Sequence, residues 1–240
     1  MIKYAISIAS FQPKRLADVG LALRSPTFSN LIFPAELPIA PNKMTKVLAS
    51  SDFDVSLIPK EFIDQQKTLA HIPLYSKNGI EFDSTIYLDA NPVIPNVLGV
   101  RFTSEHLESG IISLKTILRL LEETIPIFES DQASVYDTYL VRIPNQMGGY
   151  GFEKRKFLRT DDGLSYPLDI EWITYFGPRM LDILGRERFG HLRSCSEKLD
   201  IDNGILVILQ KEPFDKRNPE HVRRKQKAEK ELGFDDFVRK

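Results

Sequence analysis

Apolar residues recur in this chain with two different periods, and the mixture restricts it to a fold that holds both strands and helices. Ile2, Tyr4, Ile6 and Ile8 alternate with Lys3, Ala5 and Ser7 up to Ala9, the period of two that buries one face of a strand. Leu69 to Tyr75, Ile80 to Asp89 and Val97 to Phe102 are further strand-like segments. Lys77-Asn78-Gly79 joins the first two as a hairpin, and Asn91-Pro92-Val93-Ile94-Pro95 precedes the third. Between Ser104 and Thr124 the spacing changes. Ile111, Leu114, Leu118, Leu121 and Ile125 recur at intervals of three and four, which predicts an amphipathic helix ended by Pro126.

The rest of the chain fits the same class. Pro26, Pro34, Pro38 and Pro41 break Leu16 to Pro41 into short pieces and loops. Val135 to Ile143, Ile170 to Phe176 and Ile205 to Leu209 read as strands, the last a central one entered through the turn pair Asn203-Gly204. Asn145 to Gly151 reads as an exposed loop. Gly177-Pro178 starts a helix that Gly185 closes, and Asn218-Pro219-Glu220 caps another that runs to Gly233. These assignments give an α+β fold, a mostly antiparallel or mixed sheet packed with a few helices. They form one domain over 1–240, with a possible subdomain boundary at 91–95.

Charge narrows the function classes. With 32 basic and 33 acidic side chains the formal net charge is −1, so nothing global draws the chain to nucleic acid or to an anionic membrane. The apolar start runs into Gln12-Pro13-Lys14-Arg15 and is expected to be a strand, not a signal. No run of about 18 apolar residues predicts a membrane span. A single cysteine, Cys195, points to a reducing, cytoplasmic setting.

Candidate chemistry is scattered. His71, His106, His191 and His221 lack the close spacing of a zinc site, and Glu105-His106-Leu107-Glu108 lacks a second histidine. Met147 to Gly151 has neither dinucleotide nor P-loop glycine spacing. Cys195 carries no nucleophile signature. No cofactor or metal is expected. A hydrolase or nuclease assembled from distant residues stays open, with Asp137, Glu153 and Lys154 or Lys156 as its candidates. So does a nucleic-acid-associated role for the basic helix through Arg223, Arg224, Lys225, Lys227 and Lys230.

One stretch carries a resemblance. Ile170-Glu171-Trp172-Ile173-Thr174-Tyr175-Phe176-Gly177-Pro178, followed by Leu181, Leu184 and Gly185, resembles the signature of bacterial immunity proteins of polymorphic and type VI secreted toxin systems. Glu212-Pro213-Phe214-Asp215 and Asn218-Pro219-Glu220-His221 are similar to that group as well. The likeness spans roughly the C-terminal half. It implies a protein that neutralises a cognate toxin by direct binding, with no catalytic site; the charge and the lack of a long apolar run add the expectation of no membrane and no nucleic acid as partner. Trp172, Tyr175, Phe176, Gly177 and Pro178 themselves read as a folding element, a strand turning straight into a helix. The partner surface is expected on exposed loops, at Tyr150, Phe152, Arg155, Asp161 and Asp162.

Overall fold

The computed structural model describes residues 1–40, 43–48, 69–87, 94–139, 142–144, 150–152 and 157–237. The first strand, β1 (Lys3–Ser10), follows the predicted alternation and leads into two short helices, α1 (Leu16–Leu23) and α2 (Pro26–Ile32), then into β2 (Ala35–Ala40) and β3 (Lys43–Leu48). The prolines of this region keep the pieces short. Pro26 occupies the first turn of α2, where no backbone donor is needed, and the β2–β3 register shifts at Pro38. Next come β4 (Leu69–Ser76), β5 (Glu81–Tyr87) and β6 (Asn96–Thr103). β4 and β5 form the expected hairpin through Gly79, whose φ of 78° needs a glycine.

The predicted helix is two helices, α3 (Ser104–Glu108) and α4 (Leu114–Phe128). Gly110, at φ 75°, separates them, and Ser113 caps the second by accepting from the Thr116 amide. Ile111 therefore lies outside the helix and is 43% exposed. The face that packs inward is Ile117, Leu120, Leu121, Thr124, Ile125 and Phe128. Pro126 does not end α4. It sits on the exposed side, where one forgone hydrogen bond is tolerable, while buried Phe128 holds the last turn on the core.

The second half supplies β7 (Gln132–Asp137), β8 (Arg142–Pro144), β9 (Tyr150–Phe152), β10 (Phe157–Arg159), β11 (Ser165–Pro167) and β12 (Ile173–Phe176). It continues with α5 (Pro178–Leu184), α6 (Arg186–His191), β13 (Glu197–Ile201), β14 (Gly204–Ile208), α7 (Pro219–Glu231) and a closing 3₁₀ turn, Phe234–Phe237. Ten strands form one sheet in the order β13-β14-β12-β7-β1-β6-β5-β4-β2-β3, every neighbouring pair antiparallel. The fold is thus α+β with an antiparallel sheet. β8 with β9 and β10 with β11 make separate small hairpins.

β1 lies mid-sheet, with Ile6 opposite both Val100 of β6 and Val135 of β7. Because alternate residues share a face, Tyr4, Ile6 and Ile8 join Leu98, Val100, Phe102 and Val135 in a core under α1, α2 and α4. The opposite face carries small or polar groups there, including Ser7, Ala9, Gly99 and Ser134. Further along, all four residues of β12 and all five of β14 are buried. Phe176 packs edge-on to Phe189 of α6 at 5.0 Å and lies 6.2 Å from Phe234. β14 is interior, one strand in from the edge, because charged β13 covers it. Asp202 and Asn203, at φ 45° and 62°, make the tight turn between them.

Candidate functional site

The residues of the resemblance are mostly parts of the core. Trp172, Tyr175 and Phe176 are buried. The Trp172 Nε1–H donates to the Gln210 carbonyl at 3.0 Å, and its ring lies 5.7 Å from Tyr4. A Cβ on Gly177 would come within 2.6 Å of the Asp131 carbonyl oxygen, so the crossing from β12 to α5 has room only for glycine. Pro178 opens α5, and Gly185 leaves it at φ 87°. Pro213 is exposed, but Phe214 is buried against the His221 ring, and Nδ1 of His221 accepts from the Asp215 amide at 3.1 Å. The Asn218 side chain caps α7 from before Pro219 by accepting from the Glu220 amide.

Of the expected partner residues, Tyr150 and Phe152 lie on β9, and Arg155 lies outside the described residues. Asp161 and Asp162 are exposed in the turn joining β10 to β11. Asp162 accepts from the Thr160 hydroxyl and pairs with Arg179, and the Thr160 bond first, then Arg179, holds its carboxyl below the ordinary value.

Of the nuclease candidates, Asp137 lies among the described residues. Asp137 is buried, with Oδ1 accepting from the Tyr139 amide and Oδ2 from the Lys216 amide, at 2.8 and 3.0 Å. Glu153, Lys154 and Lys156 lie outside the described residues. Within those residues, no group of three His, Cys, Asp or Glu side chains is placed to hold a metal ion, and no helix is long and apolar enough to cross a membrane.

The basic helix divides its charges. Lys225 turns inward, whereas Arg223, Arg224 and Lys227 line an open cleft of about 380 Å³ with Arg193 and Cys195. Burial pushes the Cys195 thiol up, which disfavours a reactive thiolate. Glu231 anchors this corner. It accepts from the Arg193 and Ser194 amides at 2.8 and 2.9 Å and from the Ser194 hydroxyl at 2.7 Å. Partial burial pushes its carboxyl up, but these bonds outweigh that and hold it below its ordinary value of 4.5. A carboxyl depressed by folding contributes stability above its unfolded value, lost as pH falls through the folded one. Glu231→Gln is therefore expected to lower stability by about 1 to 2 kcal/mol at pH 7. In urea titrations the difference from the parent chain should shrink as pH falls below the ordinary glutamate value of about 4.3; a difference independent of pH would remove the charge from the account.

Lys225 reaches a site that spacing does not reveal. Glu171, just before β12, is 3% exposed, and its Oε1 lies 3.2 Å from Lys225 Nζ and 3.5 Å from Lys216 Nζ. Lys225 also pairs with Glu229, which accepts from the Ile170 amide. Burial pushes the Glu171 carboxyl up; Lys225 opposes the rise, Asp169 adds to it and Lys216 opposes it. Burial would pull Lys225 down, but Glu171, Asp169 and Glu229 outweigh it and hold the ammonium above its ordinary value. Glu171 Oε2 accepts no hydrogen bond from the described residues. Glu171 also lines a cavity of about 140 Å³ with Ser7, Gln132, Ser134, Ser165 and Asp169. β1 and β7 floor it and the β10–β11 hairpin walls it, held by Tyr166 edge-on to Phe11 at 4.9 Å.

No family model matches the chain, and no curated protein matches it. Among solved structures it is similar in fold to the Pseudomonas aeruginosa T6SS protein PA0821, with a TM-score of 0.55 and 12% identity over 96% of this chain and 76% of that one.

Proposed function

We propose that this protein is an immunity protein that neutralises a cognate secreted toxin by binding it directly in the cytoplasm. The observation that carries the proposal is the likeness of fold, over 96% of the chain, to a T6SS protein. The residues around Trp172 and His221 that resemble immunity proteins of such systems support it. In this reading the chain acts as one rigid domain, and its motif residues build the scaffold rather than touch the toxin. Contact falls to Tyr150, Phe152 and Arg155, with Asp161 and Asp162 at the hairpin tip. Exposed carboxylates of this kind steer encounter more than they set the final affinity.

The test is affinity capture from the native cell with an inactivated toxin, then calorimetry and growth protection with the recovered protein. A one-to-one complex is expected, together with protection of cells that express the active toxin. Reversing both charges in Asp161→Lys/Asp162→Lys is expected to slow association about tenfold at low salt, and less at high salt. A chain that neither binds nor protects loses this function.

A further inference from the structure

We infer that the cavity beneath the β10–β11 hairpin receives a guanidinium group, supplied in the proposed complex by an arginine side chain of the partner. Only the source of that group rests on the immunity reading. The chemistry of the cavity stands apart from it.

The polar groups around the cavity are set to accept. Glu171 presents a buried carboxylate whose Oε2 has no donor among the described residues. Gln132 donates one of its two amide N–H groups to the Pro167 carbonyl at 3.1 Å, and its amide oxygen is an acceptor. Ser7, Ser134 and Ser165 each add a hydroxyl with two lone pairs. Lys216 and Lys225 approach Glu171 at Oε1 and satisfy that oxygen alone.

The charges point the same way. Asp169 stands as a further carboxylate beside Glu171. The two lysines meet Glu171 on one oxygen, and the other is a buried acceptor, which is costly until it is met, so the site gains from a ligand that brings a cation and hydrogen-bond donors together.

A guanidinium fits that description better than the other cations. It is donor-only, with five N–H groups in a plane, and is more weakly hydrated than an ammonium. Its flat shape suits a cavity of about 140 Å³. A metal ion would need several carboxylate or imidazole ligands converging, and the described residues hold no such group.

The test uses the free chain and ethylguanidinium chloride, titrated by calorimetry and by backbone amide shifts at Gln132 and Ser134. Saturable binding is expected. It should weaken at least tenfold in Glu171→Gln and in Ser134→Leu, and ethylammonium chloride at the same ionic strength should bind at least tenfold more weakly. Ser134→Leu fills the cavity without touching the ion pairs, so it carries the test if Glu171→Gln does not fold. No saturable binding, binding unchanged in Ser134→Leu, or ethylammonium binding as tightly would each overturn the assignment. Because no toxin takes part, the two readings fail separately. A chain that binds ethylguanidinium but protects no cell keeps this site and loses the immunity function. One that protects cells but binds no guanidinium does the reverse.

Discussion

Glu171→Ala is expected to lower the unfolding free energy by about 3 to 5 kcal/mol, the cost of breaking a buried ion pair from one side. The reason is what remains. Lys216, with its side chain 17% exposed, would keep its ammonium group pointed at a site that no longer holds a carboxylate, and Lys225, 19% exposed, would keep only its longer pairing with Glu229. The Glu171 charge is not itself a bargain, because burial pushes its carboxyl up; the loss comes from stranding its partners. Replacing all three together, as Glu171→Leu/Lys216→Met/Lys225→Met, is therefore expected to recover most of the stability, since an apolar cluster of similar volume has no charge to desolvate. Urea titrations followed by far-UV circular dichroism read both variants. A single variant within about 0.5 kcal/mol of the parent would mean that the two ammonium groups find water, the surface-like outcome for such a substitution.

How much of this was legible in the sequence depended on the range of the interaction. The alternation of Ile2, Tyr4, Ile6 and Ile8 gave β1 because adjacent residues decide it, and Gly177-Pro178 gave the start of α5 for the same reason. The stripe of α4 packs on the core at Leu114, Leu118, Leu121 and Ile125, and only Ile111, which stands before the Ser113 cap, lies outside it. β13 was invisible: as an edge strand it exposes Glu197, Lys198 and Asp200, and no apolar pattern marks it. Lys225 looked like one more cation on a solvated helix because its partner Glu171 lies 54 residues away. Glu171 itself sat inside a recognisable motif, yet neither its burial nor its open oxygen has a spacing rule. A cavity formed by β1, β7 and a hairpin is a property of register, which is set only after the sheet is paired.

Trp172→Ala is expected to cost a further distinct amount, about 3 to 5 kcal/mol for the lost aromatic volume. Trp172 is 1% exposed, and its ring lies against Tyr4, which in turn stacks on Phe102 at 5.4 Å. Deleting it opens a void between β1, β6 and the entry to β12. It also removes the donor for the Gln210 carbonyl, on a residue that is itself buried. Trp172→Phe separates the two effects, for it keeps most of the ring volume and loses the N–H. The unsatisfied carbonyl alone accounts for about 1 to 3 kcal/mol, so the phenylalanine variant should fall between the parent and the alanine variant. Far-UV circular dichroism in urea is the suitable readout, because Trp172 is the single tryptophan and both variants lose its fluorescence. If Trp172→Phe were as stable as the parent, the hydrogen bond to Gln210 would carry no weight. The tryptophan of the motif would then be held there by its shape alone.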